Sequence, residues 1–571
     1  MKIVIVGGVA GGASAAARIR RLDERAQIMI FERSGFVSYA NCGLPYYIGG
    51  TIKDKRALTL QTPQSFFSRF SIDVRVLHEV TQINRERKTI TVINLESGES
   101  FEEDYDKLIL APGARAIRPD IPNVDSKRIF TLRTVEDTFK INEIISSKMP
   151  RSAVVIGGGF VGVEMAENLS RRGINVTLIE RQPQLLGQLD ADMASFVHAH
   201  MKSQGVRLLC SRTVSGFEEK IGGADGIKVL IENEQPVLTD MVILAIGVTP
   251  DSALAEKAGL KLGFKNSIAV NEYMQTSDED IYAVGDAVEI TNTVTGEKTT
   301  VPLAGPANKQ GRIAADNICG FPRVYKGTAG ASVVKVFDIT AAAVGLNERS
   351  AAGIGYEKII LSPASHASYY PGGSVMTLKV IFERKTERIL GAQIVGFDGV
   401  DKRIDVISTA MQAGMKVSEL AELDLAYAPP YSSAKDPVNM AGFIAQNVLD
   451  GTVKQFFYED LSELENEDVI LLDTRTSAEY ERGHADGFDI NIPVDDLRER
   501  LCELDSSKSV YVMCQSGLRS YIACRILSQN GFDCYNFAGG YRLYESINKD
   551  CFDVKSNTSC GAELFAAQKN I

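Results

Sequence analysis

Two stretches of this chain follow one plan, and that plan restricts the fold more than any other feature. In the first, Lys2-Ile3-Val4-Ile5-Val6-Gly7-Gly8-Val9-Ala10-Gly11-Gly12 leads into an alanine-rich run and then into Ile28-Met29-Ile30-Phe31-Glu32. In the second, Ala153-Val154-Val155-Ile156-Gly157-Gly158-Gly159-Phe160-Val161-Gly162 leads into a run through Leu169 and then into Val176-Thr177-Leu178-Ile179-Glu180. Each predicts a strand, a glycine turn, a helix and a second strand closed by a carboxylate, the βαβ unit that binds a dinucleotide. The glycines let backbone approach a pyrophosphate, the helix N-terminus adds positive dipole, and the carboxylate accepts from a ribose. The second unit matches G-x-G-x-x-G through Gly157, Gly159 and Gly162, whereas Val9 occupies the middle glycine position of the first. Nucleotide contacts are therefore expected at Gly7, Gly8, Gly11, Gly12, Glu32 and Arg33 in the first unit, and at Gly157, Gly159, Gly162 and Glu180 in the second. Glu180 favours a free 2′-hydroxyl and so NADH, while Arg181 beside it leaves NADPH use open.

The chain is too long for one core, since its 571 residues exceed what a single domain usually holds. A net charge of −11 argues against nucleic acid as the main partner. No apolar run reaches the length of a membrane span, and the N-terminus enters a strand directly instead of opening with a signal peptide. A cytoplasmic location is expected. The nine cysteines show no C-x-x-C spacing, which argues against zinc, iron–sulfur or thioredoxin-type sites. No metal is expected, and a functional cysteine must be recognised by its surroundings.

Further motifs stand in order along the chain. Leu108-Ile109-Leu110-Ala111-Pro112-Gly113 is a short strand ended by a turn suited to a crossing between domains, with Ala111 and Gly113 expected near a cofactor. Ile281-Tyr282-Ala283-Val284-Gly285-Asp286-Ala287 sets Gly285 and Asp286 after a strand, where the aspartate can accept from a ribityl chain. With the two βαβ units, these motifs resemble the flavoprotein family of pyridine nucleotide–disulfide reductases over about residues 1 to 450. The resemblance implies an α/β fold with two Rossmann-like dinucleotide-binding domains, FAD on the first unit and the nicotinamide on the second. It further implies an α+β dimerisation domain and a homodimer. After an acidic connector come Val469-Ile470-Leu471-Leu472-Asp473-Thr474-Arg475, Gly483-His484-Ala485 and Cys514-Gln515-Ser516-Gly517-Leu518-Arg519-Ser520. These resemble a rhodanese domain, a small α/β sulfurtransferase module. The expected divisions are FAD-binding 1–118 and 255–325, nicotinamide-binding 119–254, dimerisation 326–450, linker 451–460, rhodanese 461–548 and a tail 549–571.

Cys42 lies in S-Y-A-N-C-G-L-P-Y-Y, residues 38 to 47, and the next cysteine is Cys210. A flavin-side internal disulfide is therefore excluded. Three chemistries stay open: cycling between thiolate and sulfenic acid, a mixed disulfide with a substrate thiol, or a buried structural thiol. A helix dipole is expected to lower the pKa of this thiol. The surrounding residues look most like the coenzyme A-disulfide reductase branch, in which Ser38 and Asn41 flank the substrate sulfur. By that resemblance Ser14, Arg18, Arg21, Asn308 and Lys435 are candidate contacts for coenzyme A, and solvated helix charge is an equal reading of the two arginines.

Tyr369 and Tyr427 resemble the paired tyrosines that the family brings across from the partner subunit, where a phenol can protonate a leaving thiolate. Each has a near neighbour, Tyr370 and Tyr431, and the pairs are not resolved by sequence. None of the five histidines stands where two-cysteine reductases carry their C-terminal histidine–glutamate pair. In the rhodanese-like segment, Cys514 opens a loop between a strand and a predicted helix, whose inward N–H groups would stabilise a thiolate and then a persulfide. Arg519 either binds an anionic donor or holds the loop. Asp473 and Arg475 are expected as scaffold, and Cys502, Cys524 and Cys534 as packing residues. The resemblance implies a reductase for CoA disulfide, CoA persulfide or polysulfide. The alternatives are an NADH oxidase or peroxidase using a Cys42 sulfenate, and a rhodanese module that only docks or senses.

Overall fold

The computed structural model describes residues 1–219, 226–464 and 467–551, so most of the expected tail, Cys560 included, lies outside the described residues. The chain divides into two compact units, residues 1–181 with 209–330, and residues 182–208 with 331–571.

In the first unit, β1 (Lys2–Val6), α1 (Ala10–Leu22) and β2 (Gln27–Glu32) form the expected βαβ, with Val4 level with Met29. The chain then makes a short helix α2 (Leu44–Ile48), a helix α3 (Pro63–Phe70) and β3 (Asp73–Val76). β4 (Lys107–Leu110) pairs with β1, and β5 (Ala114–Ala116) carries the chain onward. A second parallel sheet uses β6 (Ile129–Thr131) and β7 (Ser152–Ile156). It continues through α4 (Phe160–Arg171) into β8 (Asn175–Ile179). The chain leaves this unit to form α5 (Ala191–Ser203) in the second unit, and returns for β9 (Met241–Leu244) and β10 (Val248–Pro250). β10 pairs antiparallel with β5, so the outward and returning crossings are zipped together. β11 (Ile281–Ala283) then completes the first sheet in the order β11-β4-β1-β2-β3, all parallel, and α6 (Ala304–Ile318) packs on α1. Past their first residues, strands such as β1, β4 and β7 are apolar because both faces of each parallel sheet are covered, by helices on one side and by a three-stranded antiparallel sheet (residues 78–84, 89–94 and 100–104, or 214–219, 227–231 and 237–239) on the other.

Gly7 and Gly157 end β1 and β7 with positive φ, and a Cβ on either would strike a carbonyl, Ala111 O at 2.1 Å and Ala245 O at 2.3 Å. Only glycine tolerates both demands, so each turn is tight enough to aim its helix N-terminus along the strand.

In the second unit, an antiparallel sheet is built from β12 (Ser332–Val336), β13 (Ile339–Gly345), β14 (Glu357–Leu361), β15 (Thr377–Phe382) and β16 (Ile389–Gly396), in the order β12-β13-β16-β15-β14. α5 packs against it. Lys379 on β15 is fully buried, and the carboxylates of Asp190 (3.0 Å), Asp192 (2.8 Å) and Glu348 converge on its ammonium. The sequence expectation assigned 182–208 to the nicotinamide-binding stretch, yet this segment groups with the antiparallel sheet.

The rest of the unit is a parallel sheet of β17 (Lys454–Phe456), β18 (Ile470–Asp473), β19 (Ile490–Asn491), β20 (Val510–Met513) and β21 (Cys534–Phe537), ordered β17-β21-β20-β18-β19. α7 (Leu518–Gln529) and α8 (Gly540–Cys551) flank it. α8 also packs on α5, where Ser546 and Ser195 share a buried hydrogen bond of 2.8 Å. His198 Nε2 accepts from Leu185 N at 3.0 Å, so its proton sits on Nδ1 and is donated to Asp550 at 2.5 Å. Lys202 donates to the same carboxylate at 2.8 Å. Among the described residues no helix is long and apolar enough to cross a membrane.

Candidate active sites

A cleft of about 450 Å³ opens at the C-terminal ends of β1, β2 and β4. Gly7, Glu32, Arg33, Ala111 and Gly113 of the motifs line it, together with Val9. Glu32 is buried at the end of β2, and its carboxylate accepts from Gly8 N and Ser34 N, both at 2.9 Å. Arg33 pairs with Asp251 at 2.9 Å on the wall. Gly8 and Gly11 are filled against Val37 and Val284, so they serve packing behind the cradle, and Gly12 lies directly under Gly7 O. Gly285 N donates to Gln310 at 2.7 Å, and Asp286 is held by Arg133 at 2.6 Å. Arg133 itself lines the cleft, a contributor that no sequence motif announced. The donor set suits a dinucleotide: a glycine turn and helix N-terminus for the pyrophosphate, and a buried carboxylate for a ribose.

The second glycine turn repeats the arrangement. Glu180 closes β8 and accepts from Gly158 N at 2.6 Å. A Cβ at Gly162 would lie 1.8 Å from Gly157 O, while one at Gly159 would meet nothing within 4 Å and project into open space.

A second groove, about 360 Å³, lies between α1, α3 and α6. Ser14, Arg18, Arg21, Ser38 and Asn308 line it, so five sequence candidates from distant parts of the chain meet. Ser14 Oγ donates to Asn308 Oδ1 at 2.5 Å. Sequence reasoning missed Arg312, one turn beyond Asn308 on α6, and Phe66 and Phe70, which pair at 6.1 Å on α3. The two arginines it weighed together separate in the structure. Arg18 is tied to Asp316 at 2.6 Å, whereas Arg21 and Arg312 stand at the surface. The usable positive charge thus comes from one predicted and one unpredicted residue.

The segment 38–42 runs between these two cavities. Tyr39 and Asn41 face the first and Ser38, at φ 48°, the second. Ser38 and Asn41, expected to flank the substrate sulfur, thus face different cavities, Ser38 the groove and Asn41 the cleft. Cys42 follows, exposed in a single turn before α2. The expected lowering of its pKa does not occur. The residue is exposed as a whole, yet protein atoms around the sulfur take water from it; this desolvation, and then the carboxylates of Glu164 and Asp286, push the thiol up, and Arg133 offsets them only in part. α2 spans a mere five residues, too short to supply much dipole. Glu164, on α4, was not legible in the sequence. Burial raises its carboxyl to about 7, even though Tyr46 donates to it at 3.0 Å.

In the second unit, Tyr369 and Tyr427 join through their hydroxyls at 2.6 Å, and both are exposed. Their neighbours separate from them: Tyr370 packs edge-on against His366, and Tyr431 stands exposed. Lys435 is exposed in the same unit.

Cys514 is fully buried at the end of β20. Its Sγ accepts from Gly517 N at 3.1 Å and from Ser520 Oγ at 3.2 Å. The first turn of α8 clamps the loop from behind, with Tyr541 N on Cys514 O (2.7 Å) and Arg542 N on Gln515 O (3.1 Å). Of the two roles open to Arg519, the geometry favours holding the loop, because it binds Glu479 through both nitrogens at 2.6 and 2.7 Å. That fork holds the Glu479 carboxyl down at about 2. Asp473 and Arg475 are a buried pair at 2.7 Å, with the guanidinium 3.9 Å over Tyr541, as scaffold residues should be. Cys524 and Cys534 are buried, but Cys502 is exposed, contrary to the packing role expected of it, because its short turn Leu501–Glu503 lies at the surface.

Residues 1–311 match the family described as pyridine nucleotide-disulphide oxidoreductase, residues 331–437 its dimerisation domain, and residues 458–546 a rhodanese-like domain. The chain is 39% identical over 446 residues to a coenzyme A disulfide reductase of Staphylococcus aureus, covering 78% of this chain and all of that one. It resembles the solved structure of reduced Bacillus anthracis CoADR-RHD at TM-score 0.93 and 49% identity, over 96% and 98% of the two chains. It also resembles a NAD-dependent persulfide reductase from A. fulgidus, at TM-score 0.90 and 40% identity, over 95% and 100%.

Proposed function

Because the chain belongs to the pyridine nucleotide-disulphide oxidoreductase family, we propose that it reduces CoA disulfide, and CoA persulfide or polysulfide, with NAD(P)H as reductant and FAD as cofactor. The rhodanese domain transfers sulfane sulfur through Cys514. The observation that carries this reading is the position of Cys42 beside a wall that faces a dinucleotide cleft on one side and an arginine-lined groove on the other.

FAD suits the first cleft through Gly7, Gly12, Glu32 and the Arg133–Asp286 pair, and the nicotinamide suits the second turn through Gly157, Gly162 and Glu180. When bound, FAD supplies the relay that accepts hydride from the nicotinamide and delivers an electron pair to sulfur. The negative charge of Glu180 disfavours a 2′-phosphate, so NADH is preferred. Arg21 and Arg312 hold phosphates of coenzyme A, Phe66 and Phe70 offer an apolar wall, and Lys435 of a second copy adds charge. Cys42 attacks the substrate S–S bond, forms a mixed disulfide with CoA, and releases a thiol or hydrogen sulfide. Tyr369 and Tyr427 of a second copy protonate the departing sulfur. The balance is CoA disulfide, NADH and a proton to two CoA thiols and NAD⁺. For the persulfide, one CoA thiol and hydrogen sulfide form instead. An oxidase or peroxidase would have no use for the arginine groove.

At Cys514 a sulfane sulfur is accepted as a persulfide, stabilised by Gly517 N and Ser520 Oγ. The test is a pair of assays on two variants. Cys42→Ser should keep flavin and NADH binding but lose reduction of CoA disulfide and polysulfide by at least about a hundredfold. Cys514→Ser should lose sulfur transfer from thiosulfate while retaining reduction of CoA disulfide. Full-rate reduction by Cys42→Ser would reject the proposal.

A further inference from the structure

From Cys514 to Ser520, the only ionisable side chain besides the thiol is Arg519. Its guanidinium is already engaged, because both terminal nitrogens bind the Glu479 carboxylate, at 2.6 and 2.7 Å. Glu479 is fixed in turn. Thr476 donates to the same carboxylate from its backbone N at 3.0 Å and from Oγ1 at 2.8 Å. A carboxylate that accepts a planar fork and two further donors is a strongly held partner. It stays ionised across the neutral range, since its carboxyl is held at about 2. Behind the loop, the Arg475 guanidinium over Tyr541 is taken up by Asp473 in the same way. The loop therefore shows solvent a neutral surface, with Gln515, Ser516 and Gly517 partly exposed and Leu518 at 65% exposure. We propose that Glu479 decides which sulfur donor loads Cys514: by holding Arg519 it denies a cation to the thiosulfate dianion and leaves the loop open to an uncharged organic persulfide. That role rests on reading Cys514 as a sulfane-sulfur carrier.

Both donors reach the same product by balanced steps. The Cys514 thiolate attacks the outer sulfur of thiosulfate, the S–S bond breaks, and sulfite leaves with the bonding pair. With an organic persulfide, the same attack expels the donor's thiolate, and the outer sulfur stays on Cys514 with its proton. In the first case the thiolate meets a doubly charged donor, and a free guanidinium is the group that would offset the repulsion. In the second case the thiolate is the only charge at the start. Shape acts in the same direction. Cys514 is fully buried, so a donor must reach it by its terminal sulfur. The unbranched chain of a persulfide follows that sulfur inward, whereas three sulfonate oxygens must follow the outer sulfur of thiosulfate. Glu479 is thus a positioning residue that acts through Arg519.

The full-length holoenzyme is assayed for sulfur transfer to cyanide, read as thiocyanate, from thiosulfate and from pantetheine persulfide, with Cys514→Ser in parallel. The parent should show a kcat/KM at least about tenfold higher for the persulfide. Glu479→Gln keeps the size of the side chain and removes its charge. It should raise kcat/KM for thiosulfate at least about tenfold, chiefly through a lower KM, and move the persulfide by less than about twofold. Glu479→Gln/Arg519→Met should lose that gain, because the released guanidinium is gone. Damage to the loop would lower both donors, so a gain confined to thiosulfate separates donor choice from a scaffold role. Equal kcat/KM for the two donors in the parent overturns the proposal before any variant is made. An unchanged thiosulfate value in Glu479→Gln, a fall of both donors together, or a gain that survives Arg519→Met overturns it as well, with Cys514 still the carrier. If Cys514→Ser transfers sulfur from both donors at the parental rate, the carrier reading itself fails.

Discussion

At Cys42 the nearest charges oppose ionisation, since Glu164 and Asp286 outweigh Arg133. Glu164 changes charge at about 7, so its charge varies across the neutral range. As pH rises through that value, its carboxylate adds negative charge near the thiol and postpones thiolate formation. Glu164→Gln should therefore shift the pH profile of Cys42 alkylation by iodoacetamide to lower pH. An unchanged profile would show that this charge does not reach the sulfur. Stability gives an independent reading. The folded carboxyl binds its proton more tightly than an unfolded one with an ordinary value of 4.5. Glu164 thus costs stability progressively as pH climbs from about 4.5 to about 7, and the full cost persists above that. The Tm of Glu164→Gln should exceed that of the parent above pH 7 and match it near pH 4.5.

Among elements, α5 and α8 show why a helix need not belong to the fold that its neighbours in sequence build. Asp550 ties them through His198 and Lys202, and the hydrogen bond from His198, with the charge and hydrogen bond of Lys202, holds its carboxyl below the usual range despite burial. Its contribution is therefore complete near neutrality and lost only as pH falls through that depressed value. Asp550→Asn should weaken the second unit by about 1–3 kcal/mol at pH 7, read as a lower Tm. It should also slow sulfur transfer from thiosulfate, because α8 holds the Cys514 loop, while CoA disulfide reduction continues. If transfer is unchanged in a destabilised variant, the loop does not depend on this contact. None of this was legible in the sequence. The βαβ units, the Cys514 loop and the place of Cys42 were, because turns, strand periodicity and capping are local. Glu164 beside Cys42, Asp316 on Arg18 and Arg312 in the groove come from helices far apart in sequence. Nothing in a single helical pattern says which face another helix will meet.

For the whole molecule, the match to a dimerisation domain and the exposed Tyr369–Tyr427 pair support a homodimer with shared sites. In such an assembly the tyrosines of one copy serve Cys42 of the other. Tyr369→Phe/Tyr427→Phe should lower CoA disulfide reduction by about a hundredfold. Re-associating that double variant with Cys42→Ser should then restore about a quarter of the parental activity, since half the dimers are mixed and each has one complete site. No recovery in dimers shown to have exchanged would place both groups within one chain.

The first sheet has a consequence for synthesis on the ribosome. β4 pairs with β1 on one side and β11 on the other, yet β11 follows it by about 170 residues. At a translation rate of about 5–20 residues per second, that edge stays bare for roughly ten to thirty seconds, while the entire intervening nicotinamide fold emerges. A nascent chain in that interval carries an apolar, unpaired strand, the form of surface that recruits another chain or a chaperone. Slower translation between β4 and β11 lengthens the exposure, and the yield of coloured, soluble enzyme becomes a matter of pace as much as of sequence.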